Sequence, residues 1–222
     1  MTKSLDRITI EPNSPADSCV IWLHGLGDSG AGFSPVVPVL NLPQDHAIRF
    51  IFPHAPEQAV TVNQGAVMRS WYDIKSMDLH HRADKQGVIE SEQAVHKLIE
   101  EQIAQGISSD RIVLAGFSQG GVISLFTGLR YPQKLAGILA MSCYLPDADA
   151  LPEQLSDANK LTPILQCHGT QDEVVSISAG QLANQLLVEQ GYSAKWLAYN
   201  MPHSVAAEQL ADISNWLQTT LL

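Results

Sequence analysis

The stretch VLAGFSQGG, residues 113–121, decides the fold class because it joins an apolar run to the pattern Gly116-x-Ser118-x-Gly120. A segment of helical period follows directly. This order is typical of a nucleophile elbow, a sharp turn between a strand and a helix that exposes a serine. The residues two before and two after that serine approach closely, which favours glycine at both positions. The stretch therefore predicts that Ser118 is a nucleophile, with the helix behind it directing a partial positive charge at the developing oxyanion.

Strand and helix patterns alternate along the rest of the chain. Apolar runs without polar alternation are typical of strands covered on both faces, as in a parallel sheet; they begin at Cys19, Ile48, Arg111, Leu135, Thr162 and Ala194. Helical periodicity is found over residues 88–103, after Ser118, from about residue 178 to Gly191, and after His203. We predict one α/β domain over residues 1–222, with a mostly parallel central sheet, helices on both faces and an edge strand at residues 5–10.

The stretch from His54 to Gln86 shows no clear element. A connection of that length inside a compact domain is usually a functional loop. We therefore expect part of the functional site to come from it.

Composition and charge exclude several classes of function. The net charge of -10 offers no basic footprint for nucleic acid or for an anionic membrane surface, so a small or neutral ligand is favoured. No leader or membrane span is visible, and the three cysteines are too scattered for a disulfide framework or a metal site. We predict a cytoplasmic protein that needs no cofactor and whose thiols, Cys19, Cys143 and Cys167, fill the core.

The base and the acid are expected further along the chain. In this fold class the order is serine, acid, histidine, and of the eight histidines only His203 lies after a plausible acid in the later strands. Asp172 fits best as the acid, because it follows an apolar run and a turn at Gly169 and precedes an apolar pair. The alternatives left open are Glu173, Asp147 and Asp149.

The other histidines have simpler interpretations. His24 and His168 each precede a glycine at a strand end, and we expect them to brace loops by bonding backbone carbonyls. His80 and His81 could be imagined as metal ligands beside Asp78 and Asp84, but adjacent histidines point apart on an extended chain. We predict a solvated loop there and no metal site.

The stretch VIWLHGLGDSG, residues 20–30, allows two functions for the spacing Gly25-x-Gly27-x-x-Gly30. A dinucleotide site would need an acidic residue at the end of the next strand to hold the ribose hydroxyl. That strand ends in Pro53-His54 instead. The glycines then serve a loop that turns an amide toward the elbow, with Leu26 as the first oxyanion donor and Gln119 as the second.

Six blocks follow one another along the chain: HGLGDSG (24–30), PHAP (53–56), SWYDI (70–74), GFSQGG (116–121), LQCHGTQDEVV (165–175) and MPHSV (201–205). In this order they resemble the carboxylesterase and acyl-protein thioesterase family of α/β-hydrolases. The match runs from about Val20 to the last helix. The loops around residues 58–63 and 76–85 depart from the eukaryotic thioesterases.

The resemblance implies an α/β-hydrolase fold without a separate lid domain, cleaving carboxylic esters and thioesters. It implies Ser118, Asp172 and His203 as the triad and the amides of Leu26 and Gln119 as the oxyanion hole. It also implies an acyl channel shaped partly by the excursion that includes Val67, Trp71 and Tyr72; the alternative for Trp71 is an ordinary packing aromatic. The substrate is then a small or lipid-like acyl ester or an acylated protein, and a homodimer is left open. The rivals are a long-chain thioesterase or lysophospholipase, a binding protein of this fold without turnover and, third, a dehydrogenase.

Overall fold

A seven-stranded sheet lies at the centre of the structure, a computed structural model that describes residues 4–76, 83–146 and 155–222. In chain order the strands are β1 (Arg7–Ile10), β2 (Ser18–Leu23), β3 (Ile48–Pro53), β4 (Glu57–Val60), β5 (Ala66–Arg69), β6 (Ile112–Phe117), β7 (Gly137–Met141), β8 (Ile164–Gly169) and β9 (Ala194–Tyr199). The sheet order is β1-β3-β2-β6-β7-β8-β9, and β4 pairs with β5 in a separate hairpin. Among the described strands of the large sheet, only β1 runs antiparallel to its neighbour. The parallel sheet and the N-terminal edge strand confirm the predictions.

The central strands are apolar on both faces because helices cover both sides of the sheet. Every residue of β2, β7 and β8 is buried. Side chains alternate between the faces of a strand, so Ile21 of β2 packs in one core cluster and Trp22 packs in the other. This explains why these strands read as continuous apolar runs.

Helices of unequal length form the two outer layers. Buried residues of α3, α4 and α5 belong to one core cluster, and those of α6 belong to the other. In α6, Leu210, Ile213 and Leu217 are buried. The bounds are α1 (Gly30–Phe33), α2 (Val36–Val39), α3 (Lys85–Ala104), α4 (Gln119–Arg130), α5 (Ile177–Glu189) and α6 (Ala207–Leu221). None of the helices in the described ranges is long and apolar enough to cross a membrane.

The stretch from His54 to Gln86 is more ordered than the sequence predicts. It contains the β4–β5 hairpin, whose turn places Gln64 and Gly65 at positive φ. Its strands have four residues each, too few to give a clear alternating pattern. Of the residues weighed as metal ligands, Asp84 caps the N-terminus of α3 and pairs with Lys75. Asp78, His80 and His81 lie outside the described residues.

Candidate active site

Ser118 stands at a strained turn between β6 and α4. Its φ of 55° and ψ of -119° lie outside the regions that L-residues ordinarily adopt. A Cβ on Gly116 would lie 2.1 Å from the Gly120 carbonyl oxygen, and a Cβ on Gly120 would lie 2.2 Å from the Leu23 carbonyl oxygen. Both glycines are therefore needed for the elbow to close against β2. Although Ser118 is the N-cap residue of α4, its side chain makes no capping bond, which leaves the hydroxyl for another partner.

That partner is His203, which in turn bonds Asp172. The Ser118 Oγ lies 2.8 Å from His203 Nε2, and His203 Nδ1 lies 2.6 Å from Asp172 Oδ2. An ionised carboxylate only accepts hydrogen bonds, so Nδ1 carries the proton and donates it to Asp172, while Nε2 accepts from the Ser118 hydroxyl. The structure thus brings together the three residues that the sequence selects. This tautomer is the one a histidine needs to take a proton from serine.

The Asp172 side chain is buried and fully bonded. Its Oδ1 accepts from the amides of Val174 and Val175 at 2.9 and 2.8 Å, while Oδ2 accepts from His203. Such bonds offset the cost of burying a carboxylate. Glu173 beside it is exposed to solvent. The other two alternatives, Asp147 and Asp149, lie outside the described residues.

Two loops meet where Asp172 contacts His203. A Cβ on Gly169 would lie 2.3 Å from the Met201 carbonyl oxygen, so glycine permits this approach. The Gln171 amide then donates to that same oxygen at 3.1 Å. The His203 ring packs against Phe117, with centroids 4.8 Å apart. Backbone contact and ring packing therefore hold the imidazole beside the elbow.

His168 and His24 brace these loops, as predicted. His168 Nε2 donates to the Val175 carbonyl at 2.9 Å, and His24 Nδ1 donates to the Gly25 carbonyl at 2.7 Å. His24 Nε2 also accepts from the Ala55 amide at 3.0 Å. Burial lowers the pKa of both histidines, which keeps them neutral near neutral pH. The 3.5 Å approach of His168 to Asp172 is therefore not an ion pair.

Leu26 and Gln119 line the same cavity as Ser118. Gln119 is the first residue of α4, where the amides lack intrahelical partners. Leu26 lies in the turn after β2, and the Gly27 amide beside it donates to the Arg69 carbonyl at 2.9 Å. Within the described part of the chain, neither the Leu26 amide nor the Gln119 amide donates to another protein atom. Both are free to bind an oxygen in the cavity.

The glycine spacing after β2 has structural causes that do not involve a dinucleotide. Gly27 has a φ of +77°, and a Cβ on Gly30 would lie 2.1 Å from the Phe52 carbonyl oxygen. The Gly30 amide donates to His54 Nδ1 at 3.1 Å, so it is already engaged. The turn is thus shaped by close packing against β3.

The cavity beside Ser118 measures about 270 Å³ and is mostly apolar. Of the three residues expected to shape an acyl channel, Tyr72 lines it, and its hydroxyl lies 3.0 Å from that of Tyr144. Trp71 is not among the lining residues; it is 2% exposed and is buried between the loop after β2 and the elbow. Val67 lies on β5 with 68% of its surface exposed, also outside the lining. The lining residues are Gly25, Leu26, Asp28, Phe33, Tyr72, Ile74, Phe117, Ser118, Gln119, Tyr144, Val174, Val175 and His203.

Residues 6–221 match the profile of the phospholipase/carboxylesterase family. The chain belongs to this family. It is 44% identical over 191 residues to acyl-protein thioesterase 1 of Schizosaccharomyces pombe, covering 84% of each chain. It is 37% identical to a probable carboxylesterase of Oryza sativa, covering 92% of this chain and 78% of that protein. The crystal structure of Arabidopsis thaliana SOBER1 superposes with a TM-score of 0.87 at 35% identity, covering 92% of this chain and 99% of that one.

The sequence did not predict all of the residues that line the cavity beside Ser118. Tyr144 follows β7, and the carboxyl ends of parallel strands gather at one edge of a sheet. The position of Tyr144 after a parallel strand could therefore have identified it from the sequence. Phe33 and Ile74 carry no comparable signal, because they come from a short helix and from an irregular segment.

The cysteines of this family member take no part in the site. All three are buried, which confirms the prediction that they fill the core. Burial raises the pKa of the Cys143 thiol to about 12 and that of Cys167 to about 12. Because the thiolate is the nucleophilic form, these thiols are inert at neutral pH.

Proposed function

We propose that this protein hydrolyses carboxylic esters and thioesters through an acyl-enzyme formed on Ser118. The observation that carries the proposal is the chain of hydrogen bonds from Asp172 through His203 to the Ser118 hydroxyl, at the wall of an apolar cavity. A hydroxyl becomes nucleophilic when an oriented base can accept its proton. Membership of the phospholipase/carboxylesterase family supports the same chemistry.

The reaction follows from the positions of these groups. The Ser118 Oγ attacks the acyl carbonyl while His203 Nε2 takes the hydroxyl proton. The carbonyl oxygen becomes an oxyanion. The amides of Leu26 and Gln119 donate to that oxygen, and Asp172 stabilises the imidazolium. The oxyanion then collapses, the bond to the alcohol or thiol breaks, and His203 gives that leaving group its proton. Water, activated by the same imidazole, attacks the acyl carbonyl; the bond to the Ser118 Oγ breaks, His203 returns the proton to Oγ, and the carboxylic acid is released.

Substitution of the triad tests the proposal. Ser118→Ala, His203→Ala and Asp172→Asn should each lower kcat by at least about 10³ while leaving the protein folded. The double variant Ser118→Ala/His203→Ala should be no worse than either single variant, because the residues act as a unit. Turnover of nitrophenyl esters would be measured beside circular dichroism. Losses that multiply in the double variant would contradict the assignment.

Acylated protein is a second candidate substrate, favoured by a specific observation. The relative that is 44% identical over 191 residues is named an acyl-protein thioesterase. Hydrolysis rates would be measured for acyl esters and acyl thioesters of increasing chain length, and for an S-acylated peptide. A protein thioesterase should prefer the peptide thioester with a long chain, whereas a general carboxylesterase should prefer short esters.

A further inference from the structure

A short segment, residues 69–72, joins the two halves of the proposed oxyanion hole; its first residue, Arg69, is half-buried and the other three are buried. The two amides belong to separate parts of the chain, since Leu26 follows β2 and Gln119 begins α4. Their relative position must be held within a fraction of an ångström for both to reach one oxygen. The segment lies between them and bonds each side.

The side chain of Gln119 bonds the backbone of this segment at two points. Its Oε1 accepts from the Trp71 amide at 2.9 Å, and its Nε2 donates to the Tyr72 carbonyl at 2.6 Å. The Ser70 hydroxyl lies 3.0 Å from the same Nε2. Gln119 and Ser70 are buried, so water does not compete for these bonds. The elbow is therefore fixed to residues 70–72 by the side chain next to the nucleophile.

The other end of the segment holds the loop that carries Leu26. The Trp71 indole N–H donates to the His24 carbonyl at 2.8 Å, and the Trp71 and His24 rings pack with centroids 5.3 Å apart. The Gly27 amide donates to the Arg69 carbonyl at 2.9 Å. The chain is thus held on both sides of Leu26, by one bond at His24 and by another at Gly27.

We propose that Trp71 and the Gln119 side chain are positioning residues that set the separation of the two oxyanion amides. This inference rests on the proposed function. Trp71 contacts no reacting atom; it acts through the His24 carbonyl on one side and through its own amide on the other. Gln119 then has two roles. Its backbone amide belongs to the oxyanion hole, and its side chain helps to fix the position of the Leu26 amide.

Trp71→Phe tests the proposal because it keeps an aromatic ring and removes the indole N–H. The kcat should fall by about tenfold, less than the roughly 10²-fold of a 1 Å misplacement because the ring still fills the site. The KM should stay unchanged. Affinity for a trifluoromethyl ketone that adds to Ser118 should fall by the same factor as kcat, since both depend on the oxyanion. The concentration of active sites would be titrated with a fluorophosphonate, so that a loss of folded protein is not read as a loss of kcat.

Trp22→Phe is the matched control. Trp22 is fully buried on β2, and its indole nitrogen bonds no atom of the described residues. Its substitution should lower the melting temperature without changing kcat or ketone affinity. If Trp22→Phe lowers kcat as much as Trp71→Phe does, the effect is one of core packing and the positioning role is refuted.

A second variant keeps the test open if Trp71→Phe does not fold. Gln119→Met retains the backbone amide and removes the side-chain bonds to Ser70, Trp71 and Tyr72, so it should also lower kcat and ketone affinity with KM unchanged. Folded variants that keep the parental kcat would overturn the inference. Leu26→Pro separates the two proposals: if it is folded and keeps the parental kcat, the oxyanion assignment itself fails, whereas if it loses kcat and Trp71→Phe does not, only the positioning role fails.

Discussion

Replacement of Leu26 by proline should remove one of the two proposed oxyanion donors. The Leu26 amide donates to no atom of the described residues, so its loss leaves the hydrogen bonds among those residues intact. Loss of a single oxyanion donor typically lowers kcat by about 10²–10³, or about 2.7–4 kcal/mol of transition-state stabilisation. We expect a fall of that size with a small change in KM. The assay is steady-state hydrolysis of a nitrophenyl ester.

Leu26→Ala is the control, since it keeps the N–H and trims only the side chain. Its kcat should change modestly, because the donor remains. Proline also restricts Gly25 before it and fixes its own φ, so the comparison requires matching circular dichroism spectra and melting temperatures. A folded Leu26→Pro protein with near-parental turnover would show that this loop binds no oxyanion, and the function of the spacing Gly25-x-Gly27-x-x-Gly30 would have to be sought elsewhere.

Two further predictions concern stability, measured by urea unfolding. Gly116→Ala places a Cβ 2.1 Å from the Gly120 carbonyl oxygen, so it should lower the free energy of unfolding by about 3 kcal/mol or prevent folding. In the control, Gly65→Ala, the new Cβ meets nothing within 4 Å, so the loss should be only the roughly 1–2 kcal/mol of a left-handed backbone. Burial lowers the folded-state pKa of His24 and His168 below the ordinary 6.5, so the unfolded chain binds more protons and stability is lost as pH falls below that value. The slope cannot exceed about 1.4 kcal/mol per pH unit for each histidine; a free energy of unfolding that does not change between pH 7.5 and 5 would contradict this.

The elbow could be predicted because steric constraints act over a few residues. Gly116 and Gly120 flank Ser118 at fixed offsets, and only glycine fits there. The place of His203 beside Ser118 could be predicted from chain order, since His203 follows the last strand of the sheet. These signals are local, or depend only on the order of elements.

The surroundings of the site could not be predicted in the same way. Asp172 and Glu173 are adjacent and chemically alike, and the choice between them depends on how the Gly169 turn approaches the loop before His203. Trp71 and Tyr72 are adjacent aromatic residues, yet only Tyr72 lines the cavity. Their directions are set by contacts with residues distant in sequence, such as the bond between the Trp71 indole and the His24 carbonyl.

The two carboxylate oxygens of Asp172 bind different partners, and this limits how the protein can evolve. Oδ2 orients His203, while Oδ1 holds the amides of Val174 and Val175, whose residues form part of the cavity wall. A lineage that moved the proposed catalytic acid to the end of another strand would have to rebuild that part of the wall. Selection for a new acyl group and selection for turnover therefore act on the same carboxylate, so changes in substrate range should accumulate more readily on the Tyr72 and Tyr144 side of the cavity.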